Sequence, residues 1–371
     1  MEYGFLLCAV ALSKVFAYKC MEGRQLITAA GDPQEIFRMA PKELSGMVGG
    51  RQEIISAIRD HGILKWAEAE LEWCEQYGIR ALYIEDPGYP RRLAECCDAP
   101  LILFCKGGID LNPERALAVV GTRKATWAGR TACIRTVKGL SCIQPRPAII
   151  SGLAYGIDAA AHTAALEAGM PTIAVIPCGL DTIYPTRHRD LAARIATTGA
   201  VVTDFPRGSA PQTAHFIRRN RIIAGMADAT LLAESFAKGG GLITTSLANS
   251  YDREVFACPG RVTDESFEGC NRLIFNTQAR LVINADDLSS SMGWGAADRL
   301  PEKKRDATLP FLEDETRGMI LKCLERESPM DFERIMELTG MDFRTLSALL
   351  MVLEINGSIV SLQGRKYAPA P

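Results

Sequence analysis

Between residues 116 and 258 the chain alternates short, unbroken apolar runs with stretches of helical period. The runs fall at 116–120, 148–151, 172–177, 200–203, 229–233 and 254–258, and the helical stretches at 129–138, 157–168, 188–196, 215–226 and 242–251. A strand with no polar side has no solvent face, so these strands are expected to be covered by helices on both sides. A helix after each strand makes the sheet parallel and the fold class α/β, with a Rossmann-like core. Numbering the six runs along the chain, a doubly wound order of 3-2-1-4-5-6 is expected, which sets the first run beside the fourth.

The flanks differ in texture. Residues 5–16, 33–39, 52–61 and 64–77 are helical in period and predict an N-terminal helical domain over 1–80, of SAM or helix-hairpin-helix-like kind. Within it, LSGMVGGRQEII puts Gly46, Gly49 and Gly50 ahead of a helix start. That turn reads either as a phosphate-holding hairpin or as a plain helix connection. Residues 84–110 are rich in Pro and Gly and end in a short apolar strand expected to extend the main sheet. Residues 269–284 add a helix and the strand LVIN, so the extended core domain is expected over 81–287. Serines, glycines and mixed charge then mark a linker at 288–307. Helical patterns at 313–327, 331–339 and 343–356, followed by IVSLQGRKYAP with Gly364 at a hairpin tip, predict a winged-helix domain over 308–371.

Composition narrows the classes. At 371 residues the chain exceeds one ordinary core, and 47% apolar with 23% charged residues describes a globular protein. A net charge of −2 excludes a general polycation, so any polyanion site must be a local patch. The 12 cysteines show neither CxxC nor metal-ligand spacing and read as buried thiols of a reducing, cytoplasmic protein. FLLCAVAL near the start is too short to span a bilayer and lacks the basic lead-in of a signal; it reads as a core helix, and no membrane partner is expected.

In a parallel sheet, ligands bind beyond the carboxyl ends of the strands. There the chain gathers small residues and cations: Gly121, Thr122 and Arg123 after the first run, Ser151 and Gly152 after the second, Lys238 and Gly240 after the fifth. From Gly121 to Leu140 it carries Arg123, Lys124, Arg130, Arg135 and Lys138 and no acidic residue. Taken alone, an ordinary solvated helix after a tight turn looks the same. HFIRRNRIIAG adds Arg218, Arg219 and Arg221 around Asn220 at an expected helix start, where cations oppose the macrodipole unless a polyanion lies across that end. Tyr155, Tyr184 and Phe216 offer faces for base stacking, although any one of them also fits core packing.

The same edge lacks GxGxxG, a carboxylate closing the second strand, and GxxxxGK[ST]; no nucleotide cofactor and no nucleotide hydrolysis is expected. His162, His188 and His215 are scattered and read as packing residues. No nucleophile lies beside a base and no metal set is spaced, so the chain is not expected to be an enzyme.

YPRRL, VGTRKAT, SGLAYGIDAAAH, AVIPCGLDTIYP, HFIRRNRIIAG, GGGLITTSLA, REVFACPG and EGCNRLI run in order through most of residues 89–275. Together they resemble the DNA processing protein A (DprA/Smf) family of natural transformation. The resemblance implies a Rossmann-like domain that binds single-stranded DNA as a homodimer and loads the recombinase RecA onto strands covered by single-strand-binding protein. It carries over Gly121, Thr122 and Arg123 for the phosphate turn, Ser151 and Gly152 for the second loop, and Arg219, Asn220 and Arg221 from the RNR motif. To these the residues themselves add Tyr155, Phe216, Arg218, Lys238 and Gly240. The chain departs from the family pattern at Ile217, where proline is common, at Gly239–Gly241, where SGS is common, and at Tyr155, where a basic residue is common. Stacking on Tyr155, or the nearby Lys238, is expected to stand in for that basic side chain. The family frequently carries a winged-helix tail, but FRTLSALLMVLEIN offers Arg344 and no basic face, which favours a protein-contact or architectural role.

The alternative lies among the lysine-decarboxylase-like phosphoribohydrolases of nucleoside monophosphates, whose motif is PGGxGTxxE. Here Leu247, Ala248 and Asn249 stand where the glutamate is wanted, and Glu234 is the remaining acid–base candidate.

Overall fold

The computed structural model describes residues 3–295, 314–362 and 364–369. The chain forms two compact units, Met1–Glu302 and Lys303–Pro371.

The first unit opens with helices α1 (Tyr3–Val15), α2 (Cys20–Ala30), α3 (Pro33–Arg38), α4 (Pro41–Met47), α5 (Gln52–Arg59) and α6 (His61–Gln76). Local chemistry sets their ends. Gly31 closes α2 in the left-handed conformation, and the Asp32 carboxylate accepts the Gln34 N–H while Pro33 sits at the first helical position of α3. Gly49 and Gly50, both at positive φ, make the turn between α4 and α5. FLLCAVAL lies within α1, where Ala9, Val10, Ala11 and Leu12 are fully buried. Among the described residues no helix is long and apolar enough to cross a membrane.

Strand β1 (Ile79–Tyr83), the short helix α7 (Arg91–Ala94) and strand β2 (Ile102–Lys106) lead into the alternating region. There follow β3 (Ala116–Gly121), α8 (Trp127–Leu140), β4 (Ala148–Ser151), α9 (Ile157–Glu167), β5 (Thr172–Val175), α10 (Arg189–Thr198), β6 (Ala200–Thr203) and α11 (Thr213–Gly225). Then come β7 (Ala229–Glu234), α12 (Gly240–Ser250), β8 (Glu254–Ala257), α13 (Glu268–Phe275), β9 (Arg280–Leu281) and α14 (Ala285–Ser291). All six apolar runs form strands, and all pair in parallel.

Their order corrects the sequence reading. The nine-stranded sheet runs β1-β2-β6-β5-β4-β3-β7-β8-β9, so in terms of the six runs it is 4-3-2-1-5-6 rather than 3-2-1-4-5-6. The first run is flanked by the second and the fifth, and the fourth lies three strands away. Two pairings decide this: β2 closes antiparallel onto the outer side of β6 (Phe104 opposite Thr203), while β7 takes the open side of β3 (Leu117 opposite Ala229). The connection carrying α11 therefore returns from β6 past β5, β4 and β3, and the winding reverses between β3 and β7.

Each strand alternates its side chains between two cores. On one face Ala118, Val120 and Leu232 meet Ile222 and Ala224 of α11, and the same core continues through Leu101 and Phe104 to Leu12, Phe16 and Leu26 of the helical bundle. Residues 1–80 thus share a core with the sheet rather than closing on themselves. On the other face Leu117, Val119 and Leu231 pack beneath Cys133 and Val137 of α8 and Ala161 of α9. Leu288 of α14 and Trp294 belong to this second core, so the packed unit runs past the boundary expected at 287. Residues 296–313, which hold most of the expected linker, lie outside the described residues.

The second unit contains α15 (Asp314–Arg326), β10 (Met330–Asp331), α16 (Phe332–Thr339), α17 (Phe343–Ile355), β11 (Ile359–Leu362) and β12 (Lys366–Pro369). Asp331 and Asp342 cap α16 and α17, and the three strands pair in the order β10-β12-β11 around a core of Ile320, Leu324, Ile335, Leu346, Leu349 and Leu353. Three helices and a two-stranded wing make a winged-helix domain, as the pattern predicts.

Candidate nucleic-acid interface

At the carboxyl end of β3 the chain must turn in very little space. A Cβ on Gly121 would stand 2.6 Å from the Ile157 side chain and 2.8 Å from the Glu234 carbonyl oxygen. The Thr122 N–H donates to that carbonyl (2.8 Å), and the Thr122 carbonyl accepts from Ile157 N–H (3.2 Å). Gly156, at φ +80°, lets its own backbone lie against Thr122; a Cβ there would come within 2.2 Å of the Thr122 oxygen. The turn is therefore pinned by β7 and α9, and the side chains of Arg123 and Lys124 have nowhere to go but outward. Both are exposed.

Opposite, α12 begins on the glycine run, and Gly241 approaches the Gly121 backbone so closely that a Cβ would sit 3.3 Å from its Cα. The turn, the start of α12 and one side of α11 enclose a cleft of about 830 Å³. Of the residues singled out in the sequence, Gly121, Thr122, Arg123, Lys124, Tyr184, Phe216, Arg219, Asn220, Lys238 and Gly240 line it. The Arg123 guanidinium lies 4.6 Å over the Phe216 ring, and Phe216 meets Tyr184 edge to face at 5.5 Å. Among the described residues, none of Arg123, Lys124 and Lys238 is ion-paired to a carboxylate. The first turn and the RNR helix meet here through the long α11 crossover rather than through neighbouring strands.

The RNR helix itself departs from the expectation. It starts at Thr213, so its arginines occupy the second and third turns and do not oppose the macrodipole at the N-terminus. Arg218 and Arg221 both pair with the buried carboxylate of Asp204, at 2.8 and 2.7 Å. Arg221 also donates to the Asp98 carbonyl, and Arg218 lies over the rings of Tyr18 and Phe205. Neither lines the cleft. Arg219 is 3% exposed and donates to the carbonyls of Gly152 (2.5 Å) and Val175. Burial lowers its pKa to about 10 against the opposing pull of Asp158, while burial raises the Asp158 carboxyl and Arg219 pulls it back. Gly152 is glycine for this arginine's sake: a Cβ would stand 2.3 Å from its Nη1.

Ser151 is fully buried and donates to the Val119 carbonyl (2.6 Å), tying β4 to β3. Tyr155 is exposed, meets His188 edge to face at 5.0 Å, and is not among the residues lining the cleft. The histidines are packing residues. His162 holds the Thr172 hydroxyl at 2.7 Å and burial drives its pKa down to about 3; His188 holds the Leu153 carbonyl; His215 stacks on Phe205. Glu234 is fully buried, accepts the Thr126 N–H (2.9 Å) and is walled in by Gly129, where a Cβ would collide with it. It fixes the start of α8 and has no access to a substrate. All 12 cysteines are free thiols, and among the described residues no cluster suited to a metal ion occurs.

The sequence marks Lys124 as a cation of this stretch without assigning it to the site, and gives no sign of Asp158, Phe236 and Ile243; all four line the cleft. Lys124 stood in the acid-free run. Phe236 and Ile243 flank the glycines, and the signal was two apolar residues left 36% and 40% exposed beside a loop, which only the folded chain reveals.

A mixed sheet whose six alternating strands run parallel, with a cation-lined cleft over its winding reversal, joined in one chain to a winged-helix unit, defines a Rossmann-like protein. Residues 80–293 match the family described as DNA recombination-mediator protein A and residues 303–365 match the DprA winged helix domain; the chain belongs to this family. Members are mediators of DNA recombination, and the chain is a mediator rather than an enzyme. It is 41% identical over 205 residues to DNA processing protein DprA of Streptococcus pneumoniae, covering 55% of this chain and 71% of that one. It is 32% identical over 329 residues to protein Smf of Synechocystis, covering 80% and 82%. The crystal structure of the Streptococcus pneumoniae protein superposes with a TM-score of 0.66 at 30% identity, covering 78% of this chain and 98% of that one. A Helicobacter pylori DprA structure, described for its single-stranded DNA binding mode, superposes at 0.52 with 27% identity, covering 58% and 96%.

Proposed function

We propose that the chain binds single-stranded DNA along the carboxyl edge of its sheet, as a homodimer, and loads a RecA-type recombinase onto strands covered by single-strand-binding protein. The observation that carries the reading is the cleft itself: three cations, Arg123, Lys124 and Lys238, without a carboxylate partner among the described residues, around the rings of Phe216 and Tyr184. Cations follow a phosphate backbone, and aromatic faces take bases only when these are unstacked, which selects a single strand. Gly121, Thr122 and Gly240 bring backbone close to the phosphates. Arg219 and Gly152 support the cleft from below, and Ser151, Arg218 and Arg221 hold the elements that frame it. The single-strand binding of the Helicobacter pylori relative supports the same ligand here.

The dimer rests on the open edge of the sheet. Beside β9, Phe275, Leu281 and Ile283 are 87%, 46% and 75% exposed, an apolar edge that a second copy would cover. The recombinase step rests on the family's role as mediators.

Titration of a labelled oligonucleotide in single- and double-stranded form, at two salt concentrations, tests the ligand. Tighter binding of the single strand with a steep salt dependence is expected; equal affinity for both forms overturns the reading. Sedimentation at micromolar concentration is expected to show dimer, and a monomer removes that part.

A further inference from the structure

The cleft does not account for every residue on this edge that suits a nucleic acid. Trp127 opens α8 and is 82% exposed. The other three tryptophans are placed differently: Trp294 is buried, and Trp66 and Trp73 are partly buried beneath Lys14 and Arg207. Trp127 has no such cover among the described residues. Arg130, three positions on and therefore on the same side of the helix, is exposed. Lys124, three positions back, lines the cleft, so the indole is rooted at most about 11 Å along the chain from the cleft wall. The stretch 121–140 has no carboxylate, and among the described residues only Lys138 of its five cations, at the far end of α8, is ion-paired, to Glu167 of α9.

Two facts fix where this leads. The cleft is walled by α11 and α12, which cover one face of the sheet, whereas α8 covers the other. Trp127 is held firmly at the crossing point, because Thr126 caps α8 through the Gly129 N–H (3.1 Å) while its own N–H is held by buried Glu234. A flat apolar face between solvent-facing cations matches a polyanion that carries flat apolar groups.

We propose that Trp127 is a base-stacking platform that carries the single strand out of the cleft, over Lys124 and onto the α8 side, with Arg130 holding the phosphate beside it. This rests on the reading of the cleft as a single-stranded DNA site and extends that site by a second segment.

The test is a titration of the full-length protein with oligothymidylates of increasing length, read by tryptophan fluorescence and by anisotropy of an end label. Long strands quench the protein's fluorescence and short strands confined to the cleft do not. Trp127→Phe keeps affinity within about threefold and abolishes the quench. Trp127→Ala binds short strands as the unmodified protein does, and loses roughly 5- to 160-fold on long ones, the span of one stacked base. Arg123→Ala weakens binding at every length. If Trp127→Ala follows the unmodified protein at all lengths, or if the quench survives in Trp127→Phe, the platform is refuted while the cleft stands. If Trp127→Ala separates the dimer without changing DNA affinity, the indole is a protein contact and the proposal falls. If Arg123→Ala binds normally at every length, it is the cleft that fails.

Discussion

Arg123 stands in a turn pinned by backbone contacts to β7 and α9, and its guanidinium reaches outward over Phe216. Arg219 comes from a motif just as basic, yet it reaches inward, to the carbonyls of Gly152 and Val175 near Asp158, while its neighbours Arg218 and Arg221 share Asp204. One region spends its charge on solvent-facing space and the other on internal hydrogen bonds. The difference teaches that a basic motif becomes a ligand contact only where no internal acceptor claims it.

The largest effect expected from breaking this contrast is at Arg219. Arg219→Ala should lower folding stability by about 3–5 kcal/mol, because it strands a buried carboxylate and two buried carbonyls. Chemical denaturation measures this, and a loss below about 1 kcal/mol would show that the arginine is not part of the scaffold. Arg123→Ala should do the reverse. Stability should stay within about 0.5 kcal/mol while single-strand affinity falls by about 1–3 kcal/mol, with the salt slope shallower by about 0.7. Arg123→Lys should restore only part, since an ammonium cannot copy the fork or stack as well on Phe216.

A smaller, pH-dependent effect belongs to the interior beneath the cleft. His162 is fully buried against the Thr172 hydroxyl, with the positive charge of Arg219 as a further, smaller cause, and its pKa falls from 6.5 to about 3 on folding. Between those values the unfolded chain binds the proton and the folded chain does not, so stability must fall as pH drops through that window, by about 1.4 kcal/mol per unit from this residue. Stability profiles of the parent and His162→Gln should therefore converge toward acid; parallel profiles would refute the assignment. The smallest effect is expected from deleting residues 308–371. Helix α17 exposes Met351 and Ile355 and carries Arg344 alone among cations, so single-strand affinity should change less than about twofold. A tenfold loss in a folded truncation would move the site.

Much of the fold was legible because buried parallel strands leave a local mark: an unbroken apolar run such as ALAVV or TLLA has few other uses. The order of those strands was not, since it depends on which edge β2 and β7 find, pairings remote in sequence. The candidate site was legible in part for a related reason. VGTRKAT announces its turn through glycine, and the turn forces its cations outward. Nothing in RRNR says which way each arginine faces; that is decided by Asp204, fourteen positions before Arg218, and by the missing side chain at Gly152.

The connection from β6 back to β7 sets a timetable. During synthesis β3, β4, β5 and β6 leave the ribosome first and can pair in succession, while the inner side of β3 stays open until residues 229–234 emerge. That open strand is wholly apolar, the kind of edge on which nascent chains stick to one another. Helix α11 is made immediately before β7 and packs against α12, which is made immediately after it. The walls of the cleft therefore come together in the same step that closes the exposed edge, and a chain halted before residue 229 possesses neither.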